Sequence, residues 1–386
     1  MTRERWLVPP RLLTTQEDGD RHASWLELFF DIVFVVAITE LSHQLVLDHS
    51  VDGFLRFAAL FVPVFVAWQG YMAYATRFDT DDLVFRAAYF AGMLAVAAMA
   101  TLIGDVAHGA HGAGFAVAYV CLRSLVVALY WRAWRAVPEA RPLVALYGGG
   151  YGLAAAAWLA SLALDTPLRY WVWGIALVFE LSLPPCSTRL HQRIRTSARH
   201  LPERWALFTL IVLGESVVSI AAATAGTNWR LASATAAVLG FAAVAAVWWL
   251  YFDRQANVVL QGSAASVIVY SYAHLPLLLG LAAMSAGVSL LIEHAGDDEL
   301  GAGGGAALLG GVVLFVLSLI ATRTVTVIGR KRLGVSLKLA AAAIIVALLL
   351  AQAALPPLVL AGALVFVLTS VVFAERTLFP AEESAS

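Results

Sequence analysis

The sequence has few charged residues: only 13% of its 386 residues are Asp, Glu, Lys or Arg, whereas 61% are hydrophobic. The mean hydropathy is +0.80. A composition this apolar excludes a soluble globular domain. We therefore predict an all-α polytopic membrane protein whose first partner is the lipid bilayer.

Cysteine and export signals are equally scarce. Two cysteines, Cys121 and Cys186, are too few for a disulfide framework, and because both lie within or beside apolar runs we interpret them as packing residues. Residues 1–22 lack the apolar core and the small-residue cleavage site of a signal peptide. We therefore expect the first spanning helix to insert uncleaved.

Motifs of several function classes are missing from the sequence. It contains no nucleotide-binding fingerprint, no nucleophile elbow and no basic patch for nucleic acid. The run Gly301–Gly305 lacks the Lys-Ser/Thr of a phosphate loop, so we predict a flexible linker there. We predict no cofactor and no nucleic-acid partner, and the pattern favours a function other than catalysis.

Apolar runs of about 20 residues, each long enough for one membrane crossing, recur along the chain. They predict about twelve transmembrane helices at 24–47, 53–75, 85–105, 113–134, 143–164, 168–185, 203–225, 231–252, 266–292, 305–326, 334–353 and 357–378. Arginine and lysine concentrate in alternate loops, and the opposite loops hold only Arg169 and Arg230. By the positive-inside rule, both termini are predicted to be cytoplasmic.

Weak internal similarity suggests a duplication. Leu28–Val33 resembles Leu207–Val212, and Ala97–Met99 matches Ala282–Met284, in the same order along the chain. Six crossings per half would give both halves the same orientation, as two parallel six-helix repeats. The predicted division is a cytoplasmic N-terminal segment, a first repeat, a basic cytoplasmic linker, a second repeat and a cytoplasmic tail, at 1–23, 24–185, 186–202, 203–378 and 379–386.

The first predicted helix carries four ionisable residues, Glu27, Asp31, Glu40 and His43, which are costly in lipid. At 100° per residue Glu27 and Asp31 lie about 40° apart on one face, whereas Glu40 lies about 180° from Asp31. We therefore expect this helix to be surrounded by protein. The Glu-x-x-His spacing of Glu40 and His43 has no second copy, so no di-iron site is predicted.

Four more ionisable residues lie in apolar runs: Arg123, Glu180, Glu215 and His274. Glu215 is near mid-bilayer and must be protonated, paired or hydrated. A buried pair with Arg123 that fixes helix packing is one reading, and a proton carrier is the other. His274 precedes Pro276, which frees a backbone carbonyl, but a lone histidine is commonly a satisfied hydrogen-bonder of the core.

Acidic residues at the ends of the second and eighth predicted helices have a simpler interpretation. We expect them to cap helices or to pair with neighbouring arginines. They are Asp79, Asp81, Asp82 and Asp253.

Several of these segments resemble a known family. Glu27–Val35 and Thr39–Ser42 resemble the opening motif of the bacterial low temperature requirement protein A family, and Glu203–Trp205, Leu213–Ser216 and His274–Pro276 fit as well. The resemblance covers most of the chain. It implies a multipass protein of the bacterial inner membrane that is associated by name with growth in the cold.

A more distant resemblance is to potassium channels built from two six-helix repeats. Phe29-Phe30-Asp31 and Ala37-Ile38-Thr39 look similar to the first-helix signature of those channels, although Phe30 replaces a serine and Leu210 replaces the aspartate of the seventh helix. A cation channel is therefore one functional alternative. A membrane enzyme or a lipid-binding scaffold related to cold growth is another.

The leading hypothesis is a transporter or permease for an unidentified small solute or ion, with proton coupling as one option. Ionisable residues at membrane depth in matching helices motivate it. The polar cavity is predicted to involve Glu27, Asp31, Glu40, His43, Arg123, Glu180, Glu215 and His274. No metal is predicted, and the sequence is compatible with a homodimer.

Overall fold

The computed structural model describes residues 6–13, 23–193, 200–253, 260, 263–326 and 331–378, and most of them lie in α-helices. The first seven helices are α1 (Trp25–Leu47), α2 (Val51–Ala75), α3 (Leu83–Ala107), α4 (Gly112–Ala136), α5 (Arg141–Ala160), α6 (Leu168–Cys186) and α7 (Thr188–Arg193). The others are α8 (His200–Ala225), α9 (Leu231–Phe252), α10 (Ala264–Glu293), α11 (Gly301–Gly305), α12 (Gly311–Thr324), α13 (Lys331–Ala351) and α14 (Pro357–Leu378).

The predicted all-α membrane architecture is confirmed. Ten helical segments among the described residues are long and apolar enough to cross a membrane. The other two predicted spans correspond to α1, of 23 residues, and α6, of 19 residues, both of membrane length. Each predicted span coincides with a helix to within a few residues, because apolar run length fixes where a helix can remain in lipid. The predicted tail, 379–386, lies outside the described residues.

The predicted flexible linker at Gly301–Gly305 is wrong, because this segment is the helix α11. A π-helical turn, Ala306–Gly310, joins it to α12. A Cβ atom at Gly303 would lie 2.0 Å from the carbonyl oxygen of His49. Close packing therefore explains this glycine and overrides its low helix propensity.

One further expectation, about the two cysteines, differs from the structure. Cys121 and Cys186 are free and exposed, so they do not pack inside the protein as expected. The predicted linker, 186–202, stays a prediction; it includes the short helix α7, and its residues 194–199 lie outside the described part of the chain.

The terminal acidic residues cap and pair as expected. Asp82 accepts a hydrogen bond from the backbone N–H of Phe85 at the start of α3 and binds Arg132 at 2.5 Å. Three exposed or half-exposed ion pairs complete the set, namely Arg11–Asp79, Arg86–Asp81 and Arg376–Asp253.

A short piece of the N-terminal segment is held against the end of α2. Strand β1 (Arg11–Leu12) pairs antiparallel with β2 (Phe78–Asp79), which follows α2. Earlier in the segment, the backbone N–H of Val8 donates to Asp82 at 3.0 Å. Backbone pairing and Asp82 together position the described part of this segment.

The contacts divide the chain into two compact units. The first comprises the described residues of Met1–Leu41, Arg56–Leu207 and Val259–Ile268, and the second those of Ser42–Leu55, Phe208–Val258 and Val269–Ser386. In the first unit α4 packs against α3 and α5. In the second unit α14 packs against α9 and α13. The two-repeat organisation and its boundaries stay predictions.

Helix α7 is attached to the first unit through His191. The Nδ1 atom of His191 lies 3.1 Å from Arg77 Nη2, and its Nε2 atom lies 2.8 Å from the Tyr147 hydroxyl. Because a guanidinium only donates, Nδ1 accepts, and Nε2 carries the proton that it donates to Tyr147. Burial, followed by the charge of Arg77, lowers the pKa of His191 to about 3. The ring is therefore neutral in the folded protein at neutral pH.

This neutral histidine predicts a loss of stability in acid. Because the folded-state pKa lies below the unfolded value of about 6.5, the unfolded chain binds the extra proton as the pH falls. Stability is fully present above about pH 6.5 and is lost progressively towards pH 3, by about 2 kcal/mol at pH 5. We expect His191→Gln to remove this part of the pH dependence in thermal unfolding of the detergent-solubilised protein. The exposed His108→Gln is the control, and equal pH dependence in both variants would contradict the assignment.

Candidate functional site

Two carboxyl groups of α1 face one arginine of α8. Arg204 Nη2 lies 2.8 Å from Asp31 Oδ1, and Arg204 Nη1 lies 3.4 Å from Glu27 Oε2. Glu27 and Asp31 are four residues apart, so they lie one above the other on the same helical face. Trp68 of α2 also donates its Nε1–H to Asp31 Oδ1 at 2.7 Å. We call Glu27, Asp31 and Arg204 the α1 acid cluster.

Aromatic side chains surround the α1 acid cluster. The ring of Trp205 stacks with Phe65 at 5.7 Å and meets Trp68 edge to face at 4.7 Å. All three cluster residues are buried, and Asp31 is 0% exposed. Asp31 Oδ2 and Arg204 Nε have no hydrogen-bond partner among the described residues. Arg204 thus faces two carboxyl groups in a low-dielectric environment, where both their repulsion of each other and their attraction to the guanidinium are strong.

The start of α1 follows from its sequence. Ser24 accepts a hydrogen bond from the backbone N–H of Glu27 at 3.3 Å, in the Ser-x-x-Glu pattern of a capping box. This cap fixes the first turn and therefore the face on which Glu27 and Asp31 lie. Capping and helical periodicity together direct both carboxyl groups to Arg204.

The expectation that α1 is surrounded by protein is wrong. Phe29, Ile32 and Val36 are each about half exposed, on a face that can contact lipid. Glu40 is only partly buried and His43 is exposed. Glu40 and His43 lie within the last two turns of α1, where long side chains can reach the membrane interface. The helical face that carries them therefore does not have to be covered by protein.

Arg123 of α4 and Glu180 of α6 form an ion pair between Nη2 and Oε2 that is completely buried. The Tyr119 hydroxyl donates to the Glu180 carboxylate at 3.1 Å and accepts from Arg123 Nε at 3.0 Å. The suggested pairing of Arg123 with Glu215 is therefore wrong. Arg123 is committed to Glu180, as a buried guanidinium requires a nearby carboxylate.

The position of Arg123 depends on the backbone of α2. The guanidinium lies 4.7 Å from the centre of the Tyr151 ring. On the side of α2, a Cβ atom at Gly70 would lie only 2.4 Å from Arg123 Nη1. Gly70 therefore provides the space that the guanidinium occupies.

Glu215 lies in α8, two residues from the midpoint of the candidate span Leu201–Ala225, and is 5% exposed. The Ser219 hydroxyl donates to Glu215 Oε1 at 2.6 Å, one turn away on the same helix. Ser285 of α10 lies beside the carboxyl group. Glu215 Oε2 has no hydrogen-bond partner, and Glu215 forms no ion pair, within the described part of the chain. Its immediate partners are hydroxyl groups.

His274 is a satisfied histidine of the core. Its Nδ1 atom lies 2.7 Å from the backbone oxygen of Tyr270, and its Nε2 atom lies 2.9 Å from the Tyr251 hydroxyl. Because a carbonyl only accepts, Nδ1 carries the proton and Nε2 accepts from Tyr251. Helix α10 continues through Pro276 without interruption. The geometry therefore supports the interpretation of His274 as a hydrogen-bonded residue of the core.

The structure thus places the predicted residues in separate clusters, and the predicted common cavity stays a prediction. Sequence reasoning did not predict Arg204 as a site residue, although it directly precedes an apolar run. It also missed Lys338, whose Nζ binds Glu375 Oε1 in a buried pair, with Arg323 Nη1 3.1 Å from the same oxygen. An isolated cation inside an apolar run was the signal for Lys338.

Among the described residues, no group of three or more His, Cys, Asp or Glu could hold a metal ion.

Membrane-length helices with paired charges in their interior define a multipass helical membrane protein. The family profile described as bacterial low temperature requirement A protein (LtrA) matches residues 22–373, and the chain belongs to that family. A protein of Rhizobium meliloti (strain 1021), described as uncharacterized, is 28% identical over 336 residues, which cover 79% of this chain and 78% of that protein.

Removal of the cation from the α1 acid cluster should destabilise the protein. Arg204→Gln leaves two buried carboxyl groups without their cation, which costs roughly 3–5 kcal/mol in the free energy of unfolding. The control is Arg376→Gln, because the pair of Arg376 with Asp253 is substantially exposed and worth at most about 1 kcal/mol. Thermal unfolding in detergent measures both. Equal stability of the two variants would contradict the role of Arg204, and neutralising Glu27 and Asp31 as well should restore part of the loss.

Gly70→Ala should displace Arg123 from its pair with Glu180. The new methyl group would overlap the guanidinium, and overpacking of this kind costs about 1–3 kcal/mol. The matched control is Gly152→Ala on α5, where the nearest atom to an added Cβ is Val127 Cγ2 at 4.0 Å. This control should be neutral or stabilising, because alanine favours a helix over glycine. A Gly70→Ala protein that melts at the temperature of the control would contradict the close contact.

Proposed function

We propose that this chain is a proton-coupled solute transporter of the bacterial cytoplasmic membrane and that Glu215 carries the coupled proton. The observation that supports the proposal is a carboxyl group near mid-span whose partners are hydroxyl groups. An ionised carboxylate in such a place costs several kcal/mol without a cation, so the neutral form is favoured at rest. Any rearrangement that hydrates the group favours release of its proton.

The other buried acids are less suited to this role. The charge of Glu180 is compensated by Arg123, and Glu27 and Asp31 share Arg204. The positive charge of a neighbouring guanidinium favours the ionised form of a carboxyl group and so opposes proton uptake. Glu215 lacks such a partner among the described residues, so a change in hydration has the largest effect on its protonation.

Ser219 connects the Glu215 carboxyl to the partly buried side of its own helix. A hydroxyl both donates and accepts hydrogen bonds, so Ser219 can relay a proton between the carboxyl and a water molecule that the rearrangement brings to it. The proposal also includes two six-helix repeats and cytoplasmic termini, in accord with the order of the internal matches and the distribution of arginine.

Proteoliposomes loaded with the pH dye pyranine test the proposal. Pools of amino acids, sugars and polyamines are added in turn under an inside-alkaline gradient, and one pool is expected to accelerate acidification of the lumen. Counterflow of the radiolabelled solutes of that pool then measures transport without net proton movement. We expect Glu215→Gln to abolish solute-driven acidification and to retain counterflow, because glutamine keeps the shape of the side chain but cannot release a proton.

The control variant is Asp253→Asn, since Asp253 is a half-exposed carboxylate at the end of α9. It should retain both acidification and counterflow. Solute-driven acidification that persists in Glu215→Gln would remove Glu215 from the mechanism. Absence of acidification with every pool, or unitary current steps in planar bilayers, would overturn the transporter and, in the second case, indicate a channel.

A further inference from the structure

An apolar groove lies between α4 and α5 on the surface of the first unit. Its volume is about 300 Å³, and its lining comprises four residues of α4, from Val127 to Trp134, and four of α5, from Val144 to Gly149. All of the lining residues are aliphatic, aromatic or glycine. At 1.5 Å per residue the stretch from Val127 to Trp134 is about 10 Å long, and it lies near the end of α4, where the acyl chains of a bilayer meet the headgroup region.

Packing explains two of the three consecutive glycines of α5 but not the third. A Cβ atom at Gly150 would lie 2.6 Å from Leu183, and one at Gly148 would lie 3.3 Å from Tyr130, so both permit close approach of neighbouring side chains. A Cβ atom at Gly149 would have no atom within 4 Å. Gly149 also lines the groove, so its missing side chain leaves space inside the groove that a larger residue would fill.

The groove is closed on one side by two stacked tryptophans. The rings of Trp131 and Trp134 lie 5.2 Å apart and are inclined by only 7°, and Trp131 is 57% exposed. Tryptophan prefers the boundary between headgroups and acyl chains. The pair therefore marks this end of α4 as the membrane interface.

A positive charge is held at the same end. Arg141 Nε donates to the backbone oxygen of Trp134 at 3.1 Å, and its guanidinium lies 5.0 Å from the centre of the Trp134 ring. Arg141 and the nearby Arg135 are both exposed. An apolar groove with the Arg141 guanidinium at its mouth matches a molecule with an anionic head and an apolar chain.

We propose that this groove binds an anionic phospholipid, with one acyl chain against Gly149 and the headgroup phosphate at Arg141. The groove opens on membrane-spanning helices, and charge complementarity at its mouth selects an anionic over a zwitterionic headgroup. The site stands independently of the transport proposal, because none of its residues belongs to the α1 acid cluster or contacts Glu215.

Native mass spectrometry of the detergent-solubilised protein tests the site, with phosphatidylglycerol and phosphatidylcholine of identical chains as probes. We expect one phosphatidylglycerol to bind more tightly than phosphatidylcholine. Gly149→Leu places its side chain in open space within the groove and should displace the acyl chain. Loss of contact with roughly two methylene groups corresponds to about tenfold weaker binding.

Two further variants separate the parts of the site. Gly174→Leu is the matched control, because Gly174 is an exposed helical glycine of α6 with no atom within 4 Å of an added Cβ, and lipid binding should be unchanged. Arg141→Gln should abolish the preference for phosphatidylglycerol and retain binding of phosphatidylcholine. Thermal unfolding verifies that each variant is folded.

The outcomes are decisive in both directions. Selective weakening in Gly149→Leu, with loss of headgroup preference in Arg141→Gln, supports the lipid site. Equal binding in Gly149→Leu and Gly174→Leu overturns it. A change from dimer to monomer in Gly149→Leu without a change in bound lipid also overturns it and assigns the groove to a contact between two copies of the chain.

Discussion

Compensation of buried charge is the constraint on which the described structure depends. The bilayer interior cannot solvate an ion, so a cation inside a helix bundle needs an acid from another helix at close range. Each pair then fixes two helices in rotation and in depth, because a shift of one residue would separate the charges. In the part of the chain that the structure describes, three such pairs join α4 to α6, α8 to α1 and α13 to α14: Arg123–Glu180, Arg204–Asp31 and Lys338–Glu375.

Glu215 does not follow this pattern, and the difference has a physical consequence. Breaking a buried ion pair leaves an uncompensated charge and therefore costs energy. Such a pair holds its two helices together. A buried carboxyl with hydroxyl neighbours is held less firmly, because it can be neutral, or ionised next to water or a cation, at comparable free energy. Proton-coupled transport requires a carboxyl group that can change its protonation state, whereas a stable helix bundle requires fixed ion pairs.

The sequence predicted the helices well and their partners poorly, for reasons that are physical. A helix in lipid must be apolar over its membrane depth, so run length alone located α9 at 231–252 and α14 at 357–378. Which acid meets which cation depends on how helices pack. The pair of Arg123 with Glu215, one of two alternatives for Glu215, was wrong because spacing within one helix carries no information about its neighbours.

Local patterns also failed where tertiary contacts outweighed propensity. The glycines of α11 have low helix propensity, but close packing against His49 stabilises the helix. Arg204 escaped notice because it lies near the start of α8, where an arginine is usual in a loop, and only the facing carboxyl groups of α1 identify it as part of a buried cluster. By contrast, helical periodicity correctly placed Glu27 and Asp31 on one face.

The glycines of the first unit show how the same residue can serve two different purposes. Gly70 and Gly150 are explained by protein atoms that a side chain would strike, namely the guanidinium of Arg123 and the side chain of Leu183. Gly149 lies beside Gly150 but faces open space, so internal packing gives no reason for it. Ion pairs and aromatic contacts fix the interior of this unit. A ligand can therefore bind at the surface with less rearrangement of packed side chains than in the interior. Under the proposed lipid site, the interior of the first unit provides stability and its α4–α5 face recognises the surrounding lipid.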